Sequence, residues 1–317
     1  MVKQIVTTPD TLQQILESWF VRNVLLDGAP YAMGYGANPL RNSTVAHLDL
    51  IAVNADLIRQ AKALGNKVVL FHMGDERADR DLSAYAECDL IVRNYYFAQV
   101  MDNPAWADKI IWAPNGYKTG VGPGVGLKTR PVHQRQCLAM FSGWLSNTQS
   151  FNNERALFIE AAEKCGDELF WRPSPGFSGG FQPGLYAALM EDSVFAPCPA
   201  GMSPETIRLY DALELGCIPV SLSHPFLLSK QALGALGPVP FPLLESWAQL
   251  PAFLADMKAR FARDPGGIVD MQTECIGWWE DMKRYVHGQI AKHLREPEPQ
   301  EASAPRGLSG LFKRKTA

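Results

Sequence analysis

The stretch SVFAPCPAGMSPETIRLYDALELGCIPVSLS, Ser193 to Ser223, decides the fold of this chain. It begins with an apolar run of strand length, turns through prolines and a glycine into a segment with helical periodicity, and ends in a second apolar run. Strand, helix and strand in this order are typical of a parallel sheet, because parallel strands need a crossover connection. The stretch therefore predicts an α/β fold.

The start of this helix is marked by residue types that favour helix N-termini. Ser203 is predicted to cap the helix, and Pro204 to occupy its first position, where a missing N–H costs nothing. A helix that begins directly after the carboxyl end of a parallel strand presents free N–H groups and a partial positive charge. That geometry suits a diphosphate, and Gly201 lets the backbone approach it.

Two charged residues follow on the polar face of the predicted helix. At about 100° per residue, Arg208 and Asp211 lie away from the apolar side. Arg208 is placed to neutralise phosphate charge, and Asp211 to accept hydrogen bonds from ribose hydroxyls. Spacing alone leaves an alternative open, a solvated Arg–Asp pair that contributes about 0.2–0.5 kcal/mol.

Apolar runs alternate with helical segments on both sides of Asn115–Arg135, a stretch rich in glycine and proline that we interpret as an interdomain linker. Before the linker, strands are predicted at Val21–Leu26, Lys67–Phe71, Asp89–Val92 and Ile110–Ala113, and a helix at Asn54–Leu64. After it, strands are predicted at Cys137–Ser142, Glu168–Arg172, Ser193–Pro197 and Ile218–Ser221, and helices at Asn153–Cys165, Gly184–Glu191, Pro204–Leu215, Leu250–Ala262 and Ile276–Leu294. Two Rossmann-like lobes follow from this alternation.

The domain prediction divides the chain into four parts. A first lobe spans 1–125, a second spans 135–275, a helix at 276–295 crosses back to the first lobe, and a tail rich in proline and charge at 296–317 is expected to be disordered. The tail ends in LSGLFKRKTA, where Leu308, Leu311 and Phe312 stand beside the basic run 313–315. This end of the chain is either frayed and solvated or a short basic amphipathic segment that contacts an anionic membrane surface.

Composition excludes some classes of protein. The 317 residues are 47% hydrophobic and 20% charged with a net charge of −3, so a broad electrostatic grip on nucleic acid is not expected. No apolar stretch approaches the roughly 18–20 residues that span a bilayer, and we predict neither a signal peptide nor a transmembrane helix. Six cysteines without metal-ligand spacing suit reduced thiols, so a cytoplasmic location is predicted, with peripheral contact at the inner membrane face through the tail as the alternative.

The run CPAGMSPETIRLYDALELGCIPV resembles the signature of the exostosin-type glycosyltransferases. That signature combines a Cys-Pro-x-Gly loop, a Ser-Pro helix start, an Arg-Leu-Tyr-Glu-Ala-Leu core and Gly-Cys-Ile-Pro-Val. This chain departs from it at Asp211, where the family usually has Glu, so the carboxylate has a shorter reach. Weaker likenesses are VVLFHMGDE, LIVRNYYF and FSGWLSN, the last of which looks like a phosphate-side loop around Gly143 with Arg155 following.

The resemblance implies a GT-B fold, two Rossmann-like lobes that face each other across a cleft. It also implies a nucleotide-sugar donor, UDP-linked by family likeness only, bound in the C-terminal lobe. A hexosyl or pentosyl group would be transferred with inversion to a glycan or glycoconjugate acceptor, in polysaccharide or surface-glycan synthesis. Enzymes of this type usually need no divalent metal, and no other cofactor is expected.

An inverting transfer needs a general base on the acceptor side and cations for the departing diphosphate. The candidates for the base are His72, Asp75 and Glu76, which follow a predicted strand of the first lobe at the edge that faces the cleft. Each has a structural alternative, such as capping a helix or bonding a loop. Arg172, at the end of a strand of the second lobe, is a candidate second cation beside Arg208.

Two other functions remain open. A GT-B enzyme such as a nucleotide-sugar epimerase would consume the donor without an acceptor. A non-catalytic sugar-binding protein of the same fold would bind glycan without turnover.

Overall fold

The computed structural model of the protein describes residues 1–36, 38–118, 120–121, 129–145, 150–176 and 180–295. Within these residues there are two sheets, each covered by helices, and all the strand pairings given below are parallel. The predicted α/β class with two lobes is confirmed. The tail at 296–317 and much of the predicted linker lie outside the described residues, so the domain boundaries stay predictions.

The first sheet has the strand order β2-β1-β3-β4-β5-β6. Its strands are β1 (Gln4–Thr7), β2 (Tyr31–Met33), β3 (Thr44–Asp49), β4 (Lys67–His72), β5 (Leu90–Arg93) and β6 (Ile110–Trp112). The sequence predicted the last three to within two residues at each end, and it did not predict the first three. His72 ends β4, and Asp75 and Glu76 follow it, so the candidate base residues lie at the carboxyl edge of this sheet.

The predicted strand at Val21–Leu26 is wrong, because Val21–Leu25 is a turn of π-helix that continues a short helix. Val21 and Leu25 are both buried, and their spacing of four residues places them on one helical face. A short apolar run fits a strand and a buried helical turn equally well in sequence, and tertiary packing decides between them.

The second sheet has the strand order β11-β10-β9-β7-β8. Its strands are β7 (Cys137–Trp144), β8 (Leu169–Ser174), β9 (Ser193–Pro197), β10 (Ile218–Leu222) and β11 (Leu243–Leu244). The four strands predicted here are confirmed. The stretch from Ser193 to Ser223 thus forms β9, a helix and β10, with β9 and β10 paired in parallel.

Ten helices are distributed over both lobes within the described ranges. They are α1 (Pro9–Gln14), α2 (Ser18–Phe20), α3 (Ala55–Ala63), α4 (Ala98–Met101), α5 (Glu154–Ala162), α6 (Pro183–Glu191), α7 (Ile207–Glu214), α8 (Pro225–Leu228), α9 (Leu250–Arg263) and α10 (Gly266–Leu294). Within the described residues, no helix is both long enough and apolar enough to cross a membrane.

Helix α10 connects the two lobes, as predicted for the C-terminal helix, although it begins ten residues earlier than expected. On the second lobe, Gln272 donates from Nε2 to the carbonyl of Gly216 at 2.8 Å. On the first lobe, the ring of Trp279 stacks on Phe20 with centroids 6.0 Å apart. One continuous helix therefore packs against both sheets and limits their relative movement.

Glu205 provides a second connection between the lobes, directly before α7. Its carboxylate accepts hydrogen bonds from Nε1 of Trp112 at 3.2 Å and from the backbone N–H of Asn115 at 3.1 Å, both in the first lobe. The hydroxyl of Tyr210 donates to it at 2.7 Å. Burial raises the pKa of Glu205 to about 7 against the effect of these donors. The segment that precedes α7 is therefore fixed to the first lobe.

Candidate active site

Helix α7 begins three residues later than the sequence predicted. Thr206 occupies the N-cap position and makes no side-chain capping bond, so the prediction that Ser203 caps the helix is wrong. The Ser203 hydroxyl instead accepts from the N–H of Glu205 at 3.3 Å. The physical reason is that Glu205 is drawn into its bonds with the first lobe, which keeps residues 203–206 out of helical conformation.

The start of α7 nevertheless opens onto a cleft between the lobes, which we call the diphosphate cleft. Leu16 and Lys118 of the first lobe line it, and the second lobe supplies most of the remaining wall. The second-lobe residues that line it include Ser142, Gly143, Arg155, Tyr186, Thr206, Ile207, Arg208 and Asp211. The first N–H groups of any helix lack intrahelical partners, so this end of α7 offers donors to an anion.

Arg208 lies in the diphosphate cleft, as predicted. Its Nη2 donates to the carbonyl of Ser142 at 2.6 Å, and its guanidinium lies 4.1 Å from the centroid of the Phe141 ring. Its Nε–H is buried and finds no acceptor among the described residues. A buried donor without a partner is costly, so this N–H is available to an acceptor oxygen that enters the cleft.

The second guanidinium group of the cleft belongs to Arg155 rather than to Arg172. Arg155 donates from Nε to the carbonyl of Ala200 at 3.1 Å and is partly buried. Burial, together with the charge of Arg208, lowers the pKa of Arg155 to about 10. Arg172 is exposed on β8 and does not line the cleft. Two guanidinium groups close enough to repel each other favour an anion between them.

Gly143 is required where Arg208 crosses β7. A Cβ built on Gly143 would collide with Nη2 of Arg208. The predicted phosphate-side glycine thus acts by leaving room for the guanidinium.

We expect Gly143→Ala to push Arg208 out of place and to raise the dissociation constant for UDP about tenfold, the value of one lost charge-assisted hydrogen bond. Isothermal titration calorimetry measures this dissociation constant. Gly184→Ala is the matched control, because a Cβ there meets no atom within 4 Å. Equal affinities for the two variants would contradict the role of Gly143.

Gly201 and Asp211 both lie near the two arginines. A Cβ on Gly201 would approach Nη2 of Arg155 to 3.3 Å, so glycine permits the close position of that side chain. Asp211 is buried and lines the cleft, but its Oδ1 already accepts from the N–H of Lys118 at 2.8 Å. Burial raises the pKa of Asp211 to about 6. Only part of its acceptor capacity remains for a ribose hydroxyl.

Two of the three candidate bases belong to a buried network behind the cleft. Asp75 pairs with Arg93 at 3.1 Å, and both side chains are 1% exposed. His72 contacts the hydroxyl of Tyr85 at 2.7 Å through Nδ1, and the same hydroxyl accepts from Nη1 of Arg93 at 3.0 Å. Burial lowers the pKa of His72 to about 4. The structural alternative accounts for both residues without a catalytic role.

Removing the buried carboxylate should therefore reduce stability. We expect Asp75→Ala to lower the free energy of unfolding by about 3–5 kcal/mol, because it leaves Arg93 charged and unpaired in the interior. Asp79→Ala is the control, since Asp79 is 52% exposed in a surface pair with Arg80, and such pairs contribute about 0–1 kcal/mol. Urea unfolding that gives the same midpoint for both variants would show that the buried pair has no structural role.

Glu76 is the candidate base that interacts with the second lobe, although it does not itself line the cleft. It is half-buried and receives a hydrogen bond from Tyr95, and it is close enough to Arg155 of the second lobe for the two charges to interact. Burial raises its pKa, while Tyr95 and the two arginines Arg155 and Arg77 act in the opposite direction. Tyr95 adopts a left-handed backbone with φ of 51°, a conformation that is strained for a tyrosine and is typical of functional sites.

Sequence reasoning missed Glu17, a further carboxyl group beside the cleft. It is 8% exposed and follows Leu16, which lines the cleft. Burial, and to a lesser degree the charges of Asp211, Glu76 and Glu205, raises its pKa to about 8. Nothing in the local sequence distinguishes this residue from other surface acids, because its neighbours come from distant parts of the chain.

Residues 125–233 match the family model of the exostosin GT47 domain. Over this range the chain is similar to exostosin GT47 domains. The matched range is roughly a third of the sequence and contains Gly143, Arg155, Arg208 and Asp211 of the cleft. The match supports glycosyltransferase activity.

Comparison with solved structures gives matches at low identity. One is the structure of an α1,3-fucosyltransferase, 9% identical, with a TM-score of 0.46 over 89% of this chain and 90% of that chain. Another is a glycosyltransferase from Rickettsia africae ESF-5, 10% identical, with a TM-score of 0.48 over 93% of this chain and 100% of that chain. No curated protein matches the chain.

Proposed function

We propose that the protein transfers a hexosyl or pentosyl group with inversion from a nucleoside diphosphate sugar, UDP-linked, to a glycan or glycoconjugate acceptor. The observation that carries the proposal is the Nε–H of Arg208, which has no acceptor within the part of the chain that the structure describes and is buried in a cleft that Arg155 and the start of α7 also line. A diphosphate supplies the negative charge and the acceptor oxygens that these groups lack. In-line departure of a diphosphate is stabilised by fixed cations of this kind.

The transfer begins when the acceptor hydroxyl attacks the anomeric carbon of the donor. The carboxylate of Glu76 takes the hydroxyl proton, the new C–O bond forms, and the bond from that carbon to the diphosphate breaks. The electron pair leaves with the diphosphate, whose added charge Arg155 and Arg208 stabilise. Glu76 and the arginines belong to opposite lobes, so the acceptor and the donor meet across the cleft.

The arginine pair supports the proposal that no divalent metal is needed. Synthesis of a polysaccharide or surface glycan, in the cytoplasm or at the inner membrane face, remains a proposal that depends on the family likeness and on the basic end of the chain. That end lies outside the described residues.

Two assays test the function. Calorimetry with UDP, GDP and CMP shows whether the cleft binds a nucleoside diphosphate and which base it prefers; binding of none of them would contradict the proposal. Incubation with a UDP-sugar panel, with and without glycan acceptors, then separates the classes of enzyme. Acceptor-dependent release of UDP supports a transferase, whereas donor conversion without acceptor would identify an epimerase.

A further inference from the structure

A second cavity lies next to the diphosphate cleft, and we call it the aromatic cavity. Its volume is about 260 Å³, and residues Ser203, Pro204 and Glu205 line it immediately before the residues that line the cleft. Both lobes contribute rings to its wall. These rings are Tyr96 and Phe97 from the first lobe and Phe151 and Phe226 from the second.

The wall of the aromatic cavity is held in place by hydrogen bonds. The N–H of Tyr96 donates to the carboxylate of Glu205. The Tyr96 hydroxyl donates to Oε1 of Gln231 in the second lobe at 3.3 Å, and Gln231 donates to Asp102 at 2.9 Å. The backbone N–H of Phe151 donates to the carbonyl of Gly201 at 2.7 Å. The cavity is therefore formed before any ligand arrives.

The aromatic cavity is linked to the candidate base through both of its walls, although Glu76 itself does not line it. Tyr95, the residue before Tyr96, donates its hydroxyl hydrogen bond to Glu76. Arg77, the residue after Glu76, contacts the sulfur of Met202 at 3.5 Å, and Met202 precedes Ser203. A molecule that presents a hydroxyl to Glu76 thus has this cavity as neighbouring surface.

The lining of the cavity offers a sugar few polar partners. Besides Tyr96, only Gln99, Ser203 and Glu205 carry polar side chains, and Glu205 already accepts at least three hydrogen bonds. A pyranose ring carries several hydroxyls, and each one that is buried without a hydrogen-bond partner costs free energy. Aromatic side chains instead favour offset or edge-to-face contact with another ring. Apolar cavities of about 150 Å³ already hold benzene, so this one has room for a substituted ring.

We propose that the aromatic cavity binds an aromatic ring carried by the acceptor next to the hydroxyl that receives the sugar. This inference rests on the proposed function, and it narrows the acceptor to an aryl-bearing glycoconjugate or aglycone. The ring anchors the acceptor between the lobes while the hydroxyl reaches Glu76.

The test compares 4-nitrophenyl glycosides with methyl glycosides of the same sugars. Binding to the full chain is measured by saturation-transfer NMR titration in the presence of UDP. We expect the aryl compounds to bind at least about tenfold more tightly, the difference that one buried ring contributes. Equal affinities within each pair, with UDP binding intact, would overturn the inference and leave the proposed function standing.

A tryptophan placed at the cavity, compared with one placed elsewhere on the surface, tests whether the cavity causes the aryl preference. Ala98 is exposed at the start of α4 and lines the cavity, so Ala98→Trp places a ring at its mouth without disturbing the core. Ala105→Trp adds the same ring at another exposed site. Ala98→Trp should abolish the aryl preference while Ala105→Trp keeps it, and both should bind UDP normally. An aryl preference that survives in Ala98→Trp and in Gln99→Trp, a second exposed position on the wall, would contradict the proposal.

Discussion

Replacing Arg208 by alanine is expected to raise the dissociation constant for UDP about 10- to 100-fold, because the change removes charge-assisted hydrogen bonds to the diphosphate. Loss of the same contacts in the transition state should lower turnover by at least as much. Arg208 already donates to Ser142 and lies on Phe141, so its fork is held in place before the ligand binds. Titration calorimetry and a UDP-release assay measure the two effects.

Arg172→Ala is the control for Arg208, because Arg172 is an exposed arginine of the same lobe that does not line the cleft. It should bind UDP as the wild-type protein does. Arg208→Lys keeps the charge but not the planar fork, and it should fall between the wild type and Arg208→Ala. An Arg208→Ala protein that is folded and binds UDP normally would contradict the proposal that Arg208 binds the diphosphate.

Replacing Glu76 by glutamine is expected to reduce turnover about 10²- to 10⁴-fold, the usual contribution of a general base. UDP affinity should stay close to the wild-type value, because Glu76 belongs to the acceptor side. Glu87→Gln, which changes a partly exposed glutamate elsewhere on the first lobe, should keep full turnover. Turnover of Glu76→Gln within a few-fold of wild type would remove Glu76 as the base.

The pH profile distinguishes a base from a merely structural carboxylate. Glu76 works only when ionised, and burial raises its pKa, so turnover should fall as the pH drops through a value above the ordinary range of glutamate. Tyr95→Phe removes a hydrogen bond that lowers this pKa. The acidic limb of the profile should therefore move to higher pH in that variant, whereas a structural role for Glu76 would leave the limb in place.

The second lobe could be predicted from sequence because its strands are apolar and regularly spaced. The first three strands of the first sheet could not. β3 reads TVAHLD, and its His47 and Asp49 are buried in spite of their polarity. Burial lowers the pKa of His47 to about 4 and raises that of Asp49 to about 6. Polar residues that tertiary packing forces into a core hide the strand pattern on which sequence reasoning depends.

Residue types and their spacing predicted that Arg208 lies at a cleft, but they did not predict where the helix begins or which other residues surround it. Arg208 is in the cleft because its place on the helix face is fixed by helical periodicity. The helix start is misplaced because a contact distant in sequence, Glu205 with Trp112, overrides the capping preference of Ser203. Arg155 was named only through the family resemblance, and Glu17 is beside the cleft through tertiary proximity alone, which spacing in the sequence does not encode.

The most direct test of the account is a crystal structure of the protein with UDP. We expect the diphosphate at the start of α7, with its oxygens about 2.7–3.2 Å from the guanidinium groups of Arg155 and Arg208, and with one oxygen accepting from the Nε–H of Arg208. A diphosphate bound elsewhere, with that N–H still unpaired, would contradict it.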